Sequence, residues 1–362
     1  NLQGLEIVFQ HSIKQDLTEK KSYTPSINKK LTSIRSINDH PLFTCDSLSP
    51  LENTISDGKL KVKVKHNGSM VCTSIYSAIA KNTFLSALKS DKIHCKHLIV
   101  PIQFHTNCWF NTFFMCVFIS DKGRKFFRFL RQAMIEGKLI NGTVITPQSL
   151  KNSLVLFNAA IEAVLNKNKH LSNTSLALNT NSIIHSIYRS IPKSFHEGHY
   201  GIKDVDEYGN PLAFYSDLID FIHAKNSGIP ILKILSGSSE VLSFLSGNNN
   251  ENSDIVIVQL YNNDYTPSYA QSNRIKKSTT VNHGKIRYKL DSAVIRDNNH
   301  SHFACAITCN GVQMVYDGAA FSPLVNKKWK TMLNRNIDFK LPGSKTKWNF
   351  KKGYQILFYY RT

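Results

Sequence analysis

Residues 101–120 read PIQFHTNCWFNTFFMCVFIS. A polar turn gives way to an apolar run there, and Cys108 stands at the junction. Thr106 and Asn107 are residue types that cap helices, and Trp109 to Ile119 reads as a mostly buried helix behind them. A cysteine in the first turn of a helix sits at the positive end of the helix dipole, which favours the nucleophilic thiolate. Free cysteines more often end as inert core residues. The functional reading therefore needs a histidine to take the thiol proton, an acid to orient it, and a donor for a developing oxyanion.

Residues 300–319, HSHFACAITCNGVQMVYDGA, supply two of these. His302 heads an alternating strand, and Asn310-Gly311 is a hairpin turn that sends the next strand back antiparallel towards Asp317. With the turn centred between 310 and 311, His302 faces about residue 319. Asp317 then lies within one pleat or a bulge of it. Imidazole and carboxylate can meet, and the acid can fix the ring tautomer and steady the imidazolium.

Taken together, these stretches resemble the ubiquitin-specific protease family of papain-like cysteine proteases. HTNCWFN at His105–Asn111 is similar to that family's cysteine box, Asn-Thr-Cys-aromatic-apolar-Asn. Ser301-His302-Phe303, followed by a hairpin and Tyr316-Asp317, resembles its histidine box. YKLDSAVI at Tyr288–Ile295 and YQILFYYR at Tyr354–Arg361 are similar to its late strands, in the family's order. The resemblance implies an α+β, papain-like cysteine protease fold: a helical lobe, then an antiparallel β-rich lobe, with the catalytic cysteine at a helix N-terminus. It implies Cys108 as nucleophile, His302 as general base, Asp317 as orienting acid and Gln103, five residues before the cysteine, as oxyanion donor. The activity implied is cleavage of the peptide or isopeptide bond after a ubiquitin-like C-terminus. The partner is ubiquitin, a ubiquitin-like protein or a viral polyprotein, and no cofactor or metal is implied. Ser301 stands where the family has Gly, Gly318 replaces a second acid, and the four-cysteine zinc ribbon is absent.

Composition bounds the rest. The 362 residues carry 45 Lys and Arg against 25 Asp and Glu, a formal charge of +20. Such an excess favours polyanionic surroundings. The alternative reading follows from it: a weak or inactive protease-fold, virion-associated protein that holds polyanions or partner proteins on a basic surface. The seven cysteines include no CxxC pair, so zinc-finger and thioredoxin-type sites have no support and reduced thiols are expected. No apolar run is long enough to cross a bilayer and no signal pattern opens the chain, so an intracellular, host-cytoplasmic or virion location is expected.

Residues 1–11 are set aside as an expression scar or disordered start, since LEIVFQ is similar to a viral 3C-protease cleavage site. Residues 12–94 are read as a basic extension packing on a catalytic domain of 95–362. Within them Gly58–His66 alternates as a strand with a lysine-lined face, and Met70–Leu88 has helical spacing. Helices are expected over Arg124–Ile135, with its arginines on the wet side, and over Leu150–Asn166, Ser182–Ser190 and Phe214–Ala224. Loops around one short apolar piece are expected over Ser236–Ser253, and a polar, basic loop over Asn262–Lys285. Strands follow at Asp254–Tyr261, Ile286–Leu290, Ala293–Arg296, His302–Cys309, Gln313–Asp317 and Tyr354–Tyr360. Gly198-His199-Tyr200 spells the family's histidine box literally, yet no strand or aromatic-Asp follows it. His196 and His199 are read as loop residues without a third metal ligand.

Overall fold

The computed structural model describes residues 45, 61–90, 93, 95, 98, 100–139, 141–165, 180–223, 232–262, 267–297, 302–320 and 322–362. The expectations for residues 1–44, for the strand start at 58–60 and for Ser301 lie outside them. The described residues form an α+β structure in two compact units. One holds those up to Asn111 and from Phe127 to His223; the other holds Thr112–Phe126 and the residues from Leu232 onward.

The first unit opens on a hairpin of β1 (Lys61–His66) and β2 (Ser69–Ser74), paired from Lys61↔Ser74 to His66↔Ser69. Asn67 and Gly68 turn it with φ of 48° and 82°, the left-handed pair that matches strand twist. Val62 and Val64 are buried, while Lys61 and Lys65 face solvent. The single helical stretch expected from Met70 is not there. Residues 69–74 extend against β1, and α1 (Ala78–Ala87) starts only where Ser77 Oγ accepts from the Ala80 N–H. The expectation of reduced thiols fails at Cys72, which forms a disulfide with Cys45.

Next comes α2 (Cys108–Phe114), continued by a π-helical turn at Met115–Ile119. The unit boundary falls inside α2. The helix expected over 124–135 is two, α3 (Asp121–Phe126) and α4 (Arg128–Glu136), broken at Phe127. Its arginines are not all on the wet side. Arg131 is buried and binds Glu162 and Asn158 Oδ1 (2.9 Å) of α5 (Gln148–Leu165). Arg124 is buried too, 3.2 Å from Asp121 Oδ1. A guanidinium enters a core only with such partners, because unpaired burial is costly. The unit closes with α6 (Asn181–Ser190), α7 (Lys193–His196) and α8 (Pro211–His223).

In the second unit, β3 (Lys233–Leu235) and α9 (Ser238–Ser246) precede β4 (Ile255–Leu260). Then come β5 (Thr280–His283), β6 (Ile286–Arg296), β7 (Phe303–Cys309), β8 (Val312–Tyr316), β9 (Leu324–Asn326) and β10 (Gln355–Arg361). α9 and β5 correct the expectation of loops over 236–253 and 262–285. The sheet runs β3-β4-β10-β6-β7-β8-β9, with β5 also on β6, and is antiparallel apart from β3-β4. β6 is one strand where two were expected. Pairing with β10 shifts between Phe358↔Ser292 and Tyr359↔Leu290, leaving Asp291 as a bulge residue. Its carboxylate accepts the Lys122 (2.8 Å) and Gly123 (3.3 Å) N–H groups in the first turn of α3. Burial raises the Asp291 pKa against the opposing pull of Ser120 and the Lys122 amide.

One face of this sheet is covered by the irregular strap 327–352. Trp329, Phe339, Leu341, Trp348 and Phe350 bury against Val256, Val258, Leu290, Ile295, Val315 and Leu357. Side chains of this kind contribute about 1.5–3 kcal/mol each when fully buried. The strap therefore holds its place with little regular structure beyond a 3-10 turn at Trp329–Met332.

Candidate active site

Cys108 is the first residue of α2, 8% exposed, and a free thiol. The N-cap position falls on Asn107, yet its side chain does not cap the helix. Asn107 Oδ1 accepts from the Phe104 N–H (3.3 Å) and from Asn111 Nδ2 (3.2 Å), and its Nδ2 donates to Thr180 Oγ1 (3.2 Å) and Asn181 Oδ1 (2.7 Å). Thr180 Oγ1 in turn donates to Asn111 Oδ1 at 2.6 Å. The two asparagines that flank Cys108 in HTNCWFN are thus the centre of a buried polar network that ties α2 to the start of α6. Fully satisfied networks of this kind rigidify the backbone they hold.

The turn before the cysteine is held from a different loop. His105 has φ of 58°, unusual for a residue with a side chain. Thr106 donates its hydroxyl to the Val205 carbonyl, and also to that of Glu207 at 3.2 Å, while its N–H reaches Val205 O at 3.4 Å. His105 Nδ1 lies 3.2 Å from Asp206. The loop is itself pinned: His185 Nδ1 bonds both oxygens of Asp204 (2.9 and 3.0 Å), and Glu207 Oε2 accepts the Asp204 N–H (2.9 Å). Gly209 lies so close to Trp109 that a Cβ there would come within 2.5 Å of the indole. Gln103 lies at the head of this turn and donates from Nε2 to the His105 carbonyl at 3.2 Å. That uses one of its two amide hydrogens.

In the second unit, His302 and Asp317 meet. The β7–β8 register runs from Cys309↔Val312 to Cys305↔Tyr316 about a turn in which Asn310 and Gly311 have φ of 47° and 75°. Extended three residues, that register sets His302 opposite Ala319, two residues from Asp317. His302 Nε2 lies 2.7 Å from Asp317 Oδ1. Each backbone is also fixed from its other side: the Asp297 N–H donates to His302 O and the Asp317 N–H to Pro323 O, both at 2.8 Å. The Ala319 N–H donates to Asp317 Oδ1 (3.0 Å) and the Ser344 hydroxyl to Oδ2 (2.9 Å). The Trp348 ring packs on the imidazole at a centroid distance of 5.4 Å. Burial alone would raise the Asp317 pKa, but His302, the Ala319 N–H and the Ser344 hydroxyl outweigh it and hold the carboxyl below its ordinary value. Asp317 is accordingly a buried carboxylate, and it favours the tautomer with the proton on Nε2.

No family model matches the chain, and no curated protein is similar to it in sequence. Weak similarities exist among solved structures. The SAGA deubiquitinase (DUB) module of Ubp8 with Sgf11, Sus1 and Sgf73, bound to monoubiquitin, gives a TM-score of 0.43 at 10% identity over 99% of this chain and 94% of that one. A second structure of the yeast module gives 0.37 at 10% identity, over 99% and 95%. An essential yeast splicing factor gives 0.42 at 8% identity, over 84% and 83%.

The other free thiols among the described residues are Cys116 and Cys305, both with no exposed surface. Burial pushes the Cys305 thiol well up, and contact with Cys116 adds to that. His199, the histidine of the literal Gly-His-Tyr, stacks on Phe195 with both ring nitrogens engaged, Nδ1 by Phe195 O (3.0 Å) and Nε2 by Asp220 (2.8 Å). His196 Nε2 lies on the carbonyls of Tyr188 and Ile191. Sequence reasoning missed Ser344, Trp348 and the loop at 204–207. Pro342-Gly343 ahead of Ser344 signals a turn, and nothing in the sequence ties that turn to Asp317.

Proposed function

We propose that this chain is a thiol hydrolase of the ubiquitin-specific protease kind. Residues 95–362 would be its catalytic domain, and 12–94 an extension packing on it. The observation that carries the reading is the buried His302–Asp317 pair at the register the hairpin dictates, its carboxylate held ionised by two further donors. Such a pair readies an imidazole to take a proton from a thiol. The thiol this reading assigns to it is Cys108, first in a helix and 8% exposed.

In this reading His302 takes the Cys108 proton and the thiolate sulfur attacks the carbonyl carbon after a ubiquitin-like C-terminus. The tetrahedral oxyanion is steadied by the Cys108 N–H and the second amide hydrogen of Gln103. Collapse forms a thioester and breaks the C–N bond, and His302 returns its proton to the leaving amine. A water then gives a proton to His302 and its oxygen attacks the thioester, freeing the carboxylate product and restoring the thiol.

The test is labelling by ubiquitin carrying a C-terminal thiol-reactive warhead. A covalent adduct on the wild type that disappears in Cys108→Ala, with release of a fluorogenic ubiquitin amide lost in His302→Ala, supports the reading. Adduct formation that survives Cys108→Ala, or no labelling of the wild type at neutral pH, overturns it.

A further inference from the structure

The strap 327–352 carries nine Lys and Arg against one acid, Asp338. That acid is engaged within the strap, accepting from Asn349 Nδ2 at 2.7 Å. Lys328, Arg335, Lys340, Lys345, Lys347 and Lys352 are exposed. The segment beneath them is firmly held. Trp329, Trp348 and Phe350 are no more than 1% exposed and Phe339 is 5% exposed. The buried ammonium of Lys277 donates to the carbonyls of Leu333 (3.3 Å) and Phe350 (2.5 Å) in the strap and of Ser272 (2.7 Å) outside it. Cations on an ordered scaffold lose less freedom on binding than those on a loose tail.

We propose that the strap is a docking surface for double-stranded nucleic acid, held through its phosphates without regard to base sequence. Three features select this occupant. The charge is almost all one sign, which makes a field that attracts a polyanion. Eight of the nine cations are lysines, point charges suited to a phosphate backbone, whereas recognition of carboxylates favours the planar fork of arginine. All four aromatic rings of the strap point into the core, so no platform remains for stacking unpaired bases. The proposal does not depend on the peptidase reading, since none of the strap's cations is placed in that chemistry.

The experiment is fluorescence anisotropy of a labelled 20-base-pair DNA duplex at two salt concentrations. It compares wild type with Lys340→Glu/Lys345→Glu/Lys347→Glu and with the milder triple Gln variant, each checked for an unchanged melting curve. Three phosphate contacts would weaken wild-type binding roughly 40-fold between about 50 and 200 mM salt. Both variants should bind more weakly, with a salt slope shallower by about 2.7. Equal binding by wild type and both variants overturns the proposal, as does wild-type binding that salt leaves unchanged. Loss of binding confined to Lys61→Glu/Lys63→Glu/Lys65→Glu would move the surface to the β1 hairpin and also overturn it. So would competition by polyglutamate stronger than by unlabelled duplex, which would mark a carboxylate-rich partner.

Discussion

Ser344 holds Asp317 by the oxygen that His302 does not use: its hydroxyl donates to Oδ2 at 2.9 Å, while His302 Nε2 takes Oδ1 at 2.7 Å. Because Ser344 belongs to the strap and Asp317 follows β8, the carboxylate is braced by a segment 27 residues further along the chain. A carboxylate gripped on both oxygens cannot rotate away from the imidazole it serves. The geometry of the His302–Asp317 pair thus depends on a residue outside it.

Replacing Ser344 by Ala removes a hydrogen bond to a charged group, worth about 1.5–3 kcal/mol. Urea unfolding should show a loss of that order. If His302–Asp317 serves catalysis, kcat should fall while KM is nearly unchanged. A Ser344→Thr variant should recover part of both.

The Asp317 carboxyl also predicts a pH dependence. Its native pKa lies below the unfolded value of about 3.9, so the unfolded chain binds the proton first as pH falls. The stability from this group is fully present above about pH 5 and is lost as pH drops through the lower native pKa. The stability difference between wild type and Asp317→Asn, measured by denaturant unfolding, should be flat from about pH 5 to 7 and shrink below about pH 4. A constant difference down to pH 3 would mean that the carboxylate is not held as described.

Thiol accessibility orders the free cysteines. Brief treatment of the native protein with iodoacetamide, followed by peptide mass mapping, should modify Cys108 before Cys116 or Cys305, which have no exposed surface. Modification of Cys305 at a comparable rate would contradict both its burial and its raised pKa.

The turn before Cys108 should be sensitive to the loop that holds it. Thr106→Val deletes the hydroxyl bonds to Val205 and Glu207, and Asp204→Ala releases the loop from His185. If Cys108 is the nucleophile proposed above, each should slow turnover about 10-fold or less, the equivalent of one hydrogen bond. Thr106→Ser, which keeps the hydroxyl, should stay near wild type.

Gly209→Ala should destabilise the protein by about 1–3 kcal/mol, because its methyl would press 2.5 Å from the Trp109 ring. A lowered melting temperature for this variant, relieved by Trp109→Leu in the same chain, would confirm the close approach. Additive losses in the double variant would refute it.

The sequence alone determined what local rules govern. Asn310-Gly311 centres the hairpin, and a side-chain period of two then carries His302 to Asp317 with no long-range information. The polar turn ahead of an apolar run likewise placed Cys108 at a helix start. Only the tertiary structure decided the contacts between segments far apart in the chain: Ser344 on Asp317, Thr106 on Val205, and Asn107 on Thr180 and Asn181. It also decided the places where local preference lost. The helical spacing after Met70 yielded to pairing with β1, a buried Arg131 became tenable beside Glu162, and Asp291 bulged out of β6 to meet two N–H groups of α3. The physical reason is the same in each case. A turn or a helix start is set by neighbours within a few residues, whereas a polar group bound across dozens of residues is satisfied only once the whole chain has folded.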